Sequence, residues 1–338
     1  MEFSNAFVEA NKKSLEIAKK IEEVLKFKGI PSLIPIINSH SLSLKLPIGF
    51  KQRNSTLCID PKGYGKSTLL IDILAKSNPK YFQVLPKKIF ESELVEMPKD
   101  YFHNKILVHD DLIAVLGGTS TKQRQQLTSF WTQLLADGRY SRKGKEQLIG
   151  VQTLVHFGIA WESYCTYHKS LLDSTFLDRF VPYRVTISQE QKMEILETRD
   201  LIKENHKELP VIKLKLSRGN EKISRILTDA MKKERNILAM QMEENNIMSA
   251  PRAHNYIDLF MMSNALFNER SETVQEDLEL YKMIHRYHLE SSFDKDNERK
   301  IRVYLVTKPQ ATVKEIVKDL GIPQATVYRI MKQLSNYH

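Results

Sequence analysis

The chain has 338 residues, of which 41% are hydrophobic and 27% charged, a globular composition that excludes a disordered or collagen-like chain. It holds 51 Lys and Arg against 41 Asp and Glu, a net charge of +10 that favours a polyanionic partner. Two cysteines are too few for a disulfide framework or a Cys-rich zinc module, and no apolar run is long enough to span a membrane. We therefore expect a cytoplasmic protein of two or three domains with no membrane partner.

Short apolar runs alternate with amphipathic segments over the first 188 residues. The pattern predicts an amphipathic helix over 5–27, and a loop with a short strand over 30–53. Strands are then predicted at 55–60, 81–86, 105–109, 148–160 and 181–187, and helices at 66–75 and 123–136. Because strands that alternate with helices form parallel sheets with crossover helices, we expect an α/β fold here.

After residue 188 the pattern is helical. Helices are predicted at 189–206, 220–246, 252–268 and 272–290, with breaks at Pro210 and Pro251. The segment 220–246 does not continue an a/d heptad pattern long enough to favour a coiled coil. A further unit follows at 296–336.

A variant phosphate-binding loop lies between the first predicted strand of the sheet and the helix after it. In a P-loop, glycines let backbone amides point at phosphate oxygens, the lysine reaches the β- and γ-phosphates, and the following hydroxyl binds Mg²⁺. The full pattern has glycine where Asp60 stands. We expect ATP, with Mg²⁺, to bind the rest of the loop: Pro61, Lys62, Gly63, Tyr64, Gly65, Lys66, Ser67 and Thr68. The alternative is a glycine-containing turn before a surface helix.

Two carboxylates follow the strand predicted at 105–109. We expect Asp110 to hold Mg²⁺ together with Ser67, and Asp111 to polarise the attacking water. Aspartate is one methylene shorter than the usual glutamate at this second position, which is consistent with slower hydrolysis. The alternative is a pair of helix-capping aspartates after a core strand.

The P-loop followed by the strand-end carboxylates resembles the arrangement of AAA+ ATPases. Within that class, the chain resembles the minichromosome-maintenance helicase and initiator branch. The resemblance extends over about residues 50–290 and rests further on Leu177-Asp178-Arg179-Phe180 and Ser249-Ala250-Pro251-Arg252. It implies that Arg179 completes the ATP site of a neighbouring subunit and that Arg252 is the sensor-2 arginine. Alternatively, Arg179 is a surface residue before a strand, and Arg252 lies on a solvated helix start.

The resemblance also implies a polar sensor-1 residue at the end of the strand predicted at 148–160, with Gln152 and Thr153 as candidates. It implies an ATPase, converting ATP and water to ADP and phosphate, that assembles as a homo-oligomeric ring, a hexamer. Only about fifty residues precede the P-loop, too few for the large N-terminal DNA-binding domain of replicative helicases.

A basic turn, 137–145, precedes the fourth predicted strand. Its four cations, Arg139, Arg142, Lys143 and Lys145, flank Tyr140, a combination that suits a phosphate backbone with a stacked base. We expect DNA contacts from Arg139, Arg142 and Lys143. In the ATPases that this chain resembles, a hairpin at this place points into the ring pore and tracks DNA. The alternative is a solvated turn.

The last 40 residues hold eight basic and two acidic residues, and their pattern predicts a helix-turn-helix. Thr312 and Glu315 form a capping box for a first helix, Gly321 makes the turn, and Pro323 opens a second helix. We expect this second helix to contact DNA through Gln324, Thr326, Tyr328, Arg329 and Lys332. The segment resembles the winged-helix tails of AAA+ initiators; the alternative is a structural cap or a protein-docking domain.

These predictions combine into a chain of four parts. They are an N-terminal helical segment (1–50), an AAA+ P-loop core with a parallel sheet (51–188), a helical lid (189–292), and a helix-turn-helix or winged-helix DNA-binding domain (293–338). The function expected first is ATP-dependent remodelling of DNA in replication, as an initiator, helicase or helicase loader with replication proteins as partners. The alternatives are a sequence-specific transcription regulator switched by ATP, and a transposition or defence ATPase that acts on a protein partner.

Overall fold

The computed structural model forms two compact units, residues 1–289 and 290–338. It describes residues 3–25, 29–46, 52–60, 66–76, 79–87, 89–116, 120–142, 145–173, 175–185, 189–197, 221–292, 297–298, 300–301, 304–305, 308 and 310–335.

The larger unit combines seven described strands with helices on both sides of a sheet. In chain order its elements are α1 (Asn5–Ala10), α2 (Lys12–Leu25), α3 (Leu33–Ser39), β1 (Thr56–Asp60), α4 (Thr68–Ala75, wound as a π-helix), β2 (Phe82–Val84), α5 (Glu91–Glu96), β3 (Lys105–His109), α6 (Leu112–Val115) and α7 (Thr121–Asp137). They continue with β4 (Tyr140–Arg142), β5 (Lys145–Leu148), β6 (Thr153–Ala160), α8 (Trp161–Asp173), β7 (Val181–Arg184), α9 (Gln189–Glu197), α10 (Asp229–Glu244), α11 (Ala250–Phe267) and α12 (Gln275–Leu289).

Five of these strands form one parallel sheet in the order β2-β3-β6-β1-β7. Strand β1 pairs with β6 from Thr56↔His156 to Asp60↔Ala160, and with β7 from Thr56↔Val181. Every residue of β1 and β6 is buried, because apolar clusters cover both faces of the sheet. The predicted parallel α/β fold is therefore confirmed.

The N-terminal residues fold differently from the prediction. The helix predicted over 5–27 is interrupted at Asn11, whose side-chain amide donates to the carbonyl of Phe7 (3.2 Å) and ends α1. The prediction of a loop with a short strand over 30–53 is wrong for the first part of this range, since 3-10 turns and the buried helix α3 occupy residues 30–43. Pro35 is tolerated because it falls in the first turn of α3, where its missing N–H costs no intrahelical bond.

Two other predicted boundaries differ in the structure for local reasons. The strand predicted at 148–160 divides at Gly150, which has φ +64°, into the end of β5 and the separate strand β6. The helix predicted at 220–246 begins at Asp229, because the Thr228 hydroxyl accepts from the amide of Met231 (3.2 Å). The segment 198–220, where the prediction placed the end of a helix and Pro210, lies outside the described residues.

Polar contacts join α1 and α2 to α11 and α12. The Asn264 amide donates to Oδ1 of Asn11 (2.7 Å) and to Oδ1 of Asp277 (2.6 Å). Oδ1 of Asn268 accepts the amides of Lys13 and Ser14, at the first turn of α2. The N-terminal helices are thus packed into the same unit as the sheet.

Two buried histidines lie between the sheet and the helices around it. The ring of His156 in β6 bridges the hydroxyls of Ser39 (2.9 Å) and Thr56 (2.8 Å), and Nδ1 of His288 bonds the carbonyl of Pro182 (2.9 Å). Burial lowers the pKa of each histidine to about 3. Both rings are therefore neutral in the folded protein at neutral pH.

This gives a pH-dependent stability that a single variant can test. Below the ordinary pKa of 6.5 the unfolded chain binds a proton at His156 that the folded chain binds only near pH 3, so stability is lost as the pH falls through this window. Urea unfolding at several pH values between 6 and 4 should show a slope about 1.4 kcal/mol per pH unit smaller for His156→Gln than for the wild type. Equal slopes would contradict a neutral buried His156.

Candidate nucleotide site and nucleic-acid interface

The carboxyl ends of β1 and β3 meet at one edge of the sheet, on either side of β6. Lys66 and Ser67 form the helical turn that leads into α4, and Asp110 directly follows β3. The Ser67 hydroxyl donates a hydrogen bond to Oδ2 of Asp110. The structure thus brings together the two oxygen ligands predicted for Mg²⁺. Thr68 is the first residue of α4, and the predicted loop residues 61–65 lie outside the described part of the chain.

Gly158 of β6 leaves room for the side chain of Lys66 at this edge. A Cβ atom at Gly158 would come within 2.5 Å of Cδ of Lys66 and 2.7 Å of the carbonyl oxygen of Asp110. A larger residue would therefore displace the lysine. Gly158 is not among the predicted site residues, although a glycine inside an eight-residue apolar strand is typical of a close approach.

Asp111 has a defined structural role at the same edge. Its carboxylate accepts hydrogen bonds from the amides of Ile113 (3.0 Å) and Ala114 (3.4 Å) and so caps α6. The side chain is also exposed to solvent. The geometry is the one expected for the helix-capping alternative, and the predicted role in activating water stays a prediction.

The two predicted arginines lie together, at the opposite edge of the sheet. Arg179 precedes β7, whose first residue Val181 pairs with the start of β1, and Arg252 bonds Oδ2 of Asp178 at 2.8 Å. Burial, and then the charge of Arg252, lower the pKa of Arg179. Strand β1 spans roughly 13 Å at about 3.3 Å per residue, so this pair is remote from Lys66 of the same chain.

The sensor-1 candidates are also at the wrong edge. Thr153 begins β6 and donates to the carbonyl of Lys105 (2.9 Å), and Gln152 precedes the strand. Because β6 runs parallel to β1 and β3, these residues lie at the edge opposite Lys66 and Asp110. The carboxyl end of β6 is instead Gly-Ile-Ala, residues 158–160, which has no polar side chain.

The basic turn forms a β-hairpin made of β4 and β5. Its base is held by the buried hydroxyl of Tyr140, which donates to Oε1 of Glu91 (2.6 Å). Arg139 is exposed and lies 4.0 Å from a carboxylate oxygen of Asp137. Arg142 is the last residue of β4, and Lys143 lies outside the described residues. A hairpin is thus present where a DNA-tracking hairpin is predicted.

The smaller unit contains the predicted helix-turn-helix, formed by α13 (Val313–Leu320) and α14 (Gln324–Ser335). Thr312 and Glu315 cap α13 reciprocally, and Gly321 ends it with φ +65°, a conformation that glycine adopts without strain. A small apolar core joins the helices: Ile301, Ile316, Ile322, Val327 and Ile330. Each of these signals is local, which is why the sequence predicts the motif correctly.

The predicted DNA-contacting residues lie on the outer side of α14. Tyr328 is 64% exposed, and Thr326 is half-buried. The other three are exposed: Gln324, Arg329 and Lys332. The buried Val327 and Ile330 alternate with them, so α14 packs on one face and presents the opposite face to solvent.

Comparison with known proteins agrees with this geometry. The family model described as "Sugar-specific transcriptional regulator TrmB" matches residues 295–337. The C-terminal unit is therefore a TrmB-type winged-helix DNA-binding domain, and it joins a unit built on a parallel α/β sheet. No AAA+ family model matches, and no curated protein matches the chain. Within the described ranges, no helix is long and apolar enough to cross a membrane.

Proposed function

We propose that this protein is a DNA-binding transcription regulator whose assembly on DNA is controlled by ATP. The observation that carries the proposal is the TrmB-type domain with an exposed face on α14. The match covers only this DNA-binding unit, so the sugar specificity in the family description does not enter the proposal.

The nucleotide part of the proposal rests on the strand order and on the edge formed by β1 and β3. In the order β2-β3-β6-β1-β7, β1 is an interior strand, and α/β sheets bind ligands at the carboxyl ends of their strands. The predicted P-loop follows β1 directly in the sequence. The contact between Ser67 and Asp110 offers Mg²⁺ two oxygen ligands, and Lys66 would hold the phosphates. Bound MgATP would supply a γ-phosphate whose presence or loss changes the stability of nearby segments.

The position of the arginines supports assembly into a homo-oligomer. Arg179 and Arg252 are too far from Lys66 to act on a nucleotide in the same chain, but a neighbouring copy could place its nucleotide against them. Arginine suits this role because its planar group binds phosphate while remaining charged. We propose that ATP binds between subunits of a ring.

Two features favour a switch over a motor. Asp111 is engaged as a helix cap, and the last three residues of β6, 158–160, carry no polar side chain that could position a water molecule. Slow hydrolysis is expected from such a site. A long-lived ATP-bound state is more useful for holding an assembly on DNA than for driving repeated movement.

A DNA-binding experiment tests the proposal. Fluorescence anisotropy with a duplex selected from a random pool, and with random duplex, should show preference for the selected site. ATP with Mg²⁺ should tighten binding at least several-fold, because assembly links several α14 helices and raises their effective concentration. A protein that binds neither duplex, or whose DNA affinity is insensitive to ATP, would contradict the proposal.

The second candidate is ATP-dependent remodelling of DNA in replication, with hydrolysis at subunit interfaces. The hairpin of β4 and β5 favours it, because a hairpin at this place could follow a strand through a ring pore. Unwinding of forked DNA with multiple ATP turnovers would select this function over the regulator.

A further inference from the structure

Asp60 is a buried acid at the start of the predicted P-loop. It is the last residue of β1 and stands where the P-loop pattern has glycine. Only 4% of the residue is exposed, and Oδ2 lies 3.7 Å from the thiol of Cys58. Oδ1 has no hydrogen-bond partner among the residues that the structure describes. A buried carboxyl oxygen without a partner is costly when ionised and is therefore sensitive to nearby charge.

Asp60 is surrounded by two neutral groups and two positive charges. The pKa values of Cys58 and of Tyr183 on β7 are raised well above their ordinary values by burial, so both are neutral. The positive charges are Lys66, ahead of α4, and Arg184, which ends β7 over the ring of Trp161 (3.5 Å). On the other side, Asp60 pairs with Ala160 of β6.

Burial raises the pKa of Asp60 to about 7. The charge of Lys66 opposes this rise most, followed by the Cys58 thiol, the backbone N–H of Val185 and the charge of Arg184. At pH 8, above this pKa, most of the Asp60 carboxyl groups are therefore ionised in the protein without nucleotide. The ionised form depends on the positive charge of Lys66.

A nucleotide would remove that support. Its phosphates would engage Lys66 and bring several negative charges to the same edge of the sheet. An ionised Asp60 would then face a partly neutralised lysine and a nearby polyanion in a site that water does not reach. Like charges at close range favour protonation of the weaker acid.

We propose that Asp60 is a buried proton acceptor beside Lys66 that takes up one proton when a nucleotide binds. The inference rests on the proposed nucleotide site and adds its regulation. In the free protein the nearby charge of Lys66 stabilises the carboxylate without a direct ion pair, and in the bound protein the neutral acid leaves that charge to the phosphates. Nucleotide affinity therefore decreases as the pH rises above 7.

Isothermal titration calorimetry counts the proton directly. The full chain is titrated at pH 8 with a non-hydrolysable ATP analogue and Mg²⁺ in two buffers that differ in ionisation enthalpy. The wild type should take up a proton on binding, up to one per nucleotide, because most of the Asp60 carboxyl groups are ionised at a pH above their pKa of about 7. The isosteric variant Asp60→Asn should take up about one proton fewer than the wild type, and this difference removes any contribution from the nucleotide itself.

The pH profile gives a second measurement. Between pH 7.5 and 8.5 the wild-type Kd should rise by close to tenfold, the limit for one linked proton, and the Kd of Asp60→Asn should change little. Asp60→Gly, which restores the P-loop pattern, should also give a flat profile. Asp72→Asn, on α4 and paired with Lys76 in the wild type, should keep the wild-type profile.

Nucleotide binding by the wild type without proton uptake, or equal uptake by Asp60→Asn, would overturn this inference and leave the proposed function standing. Absence of nucleotide binding in the wild type would overturn both.

Discussion

The variant Lys66→Ala should lose nucleotide binding and, with it, any effect of ATP on DNA affinity. Lys66 lies at the carboxyl end of β1 with its side chain passing over Gly158, beside the contact between Ser67 and Asp110. A hydrogen bond from a charged group is worth about 1.5–3 kcal/mol, so the loss should be about 10- to 150-fold in affinity. Filter binding with labelled ATP, or calorimetry, measures it.

Lys76→Ala is the matched control for this prediction. Lys76 follows α4 directly, is 70% exposed and pairs with Asp72 rather than with the predicted phosphate site. Its removal should leave ATP affinity unchanged. If Lys66→Ala and Lys76→Ala bound ATP as tightly as the wild type, the edge at β1 and β3 would not be the nucleotide site.

Removal of residues 299–338 should abolish specific DNA binding, because it deletes the whole helix-turn-helix. Two point variants on α14 then separate the kinds of contact. Arg329→Ala should cost roughly 1–3 kcal/mol on the selected site and relax the preference at one base pair. Lys332→Ala should weaken binding to all duplexes about equally and reduce the salt slope by about 0.9.

Measurements on selected and random duplex at two or more salt concentrations distinguish the two effects. Lys232→Ala provides a control of the same charge change, since Lys232 is an exposed residue of α10 in the larger unit, paired with Asp229. Unchanged affinity and salt slope after deletion of 299–338 would assign DNA binding to the β4–β5 hairpin instead.

Fold features that depend on neighbours in sequence could be predicted. The capping box of Thr312 and Glu315 and the turn at Gly321 involve residues three to nine positions apart, and both are present. The alternation of strands and helices indicated the parallel sheet for the same reason, because periodicity is local. The carboxyl ends of parallel strands meet at one edge, so the closeness of Ser67 and Asp110 could be expected from the strand assignment alone.

Features that depend on exact strand ends could not be predicted reliably. Gln152 and Thr153 are the sensor-1 candidates predicted at the end of a strand over 148–160. In the structure β6 begins at Thr153, and the prediction differs because periodicity does not separate β5 from β6. The helix α3 was missed since its apolar run with Pro35 is too short for a helical period to be recognised. An error of a few residues in a strand boundary therefore assigns a side chain to the opposite edge of the sheet.

The helix-turn-helix, the parallel α/β sheet and the order of the motifs follow from sequence patterns alone. Which residues share an edge follows only from the folded chain: Gly158 lies with Lys66, and Arg252 with Asp178, although the latter two are 74 positions apart. The environment of Asp60 was also decided there, because burial and the nearby charges of Lys66 and Arg184 set its proton affinity. The physical reason is that hydrogen-bond partners, desolvation and charge depend on distance in space, whereas a sequence pattern records only distance along the chain.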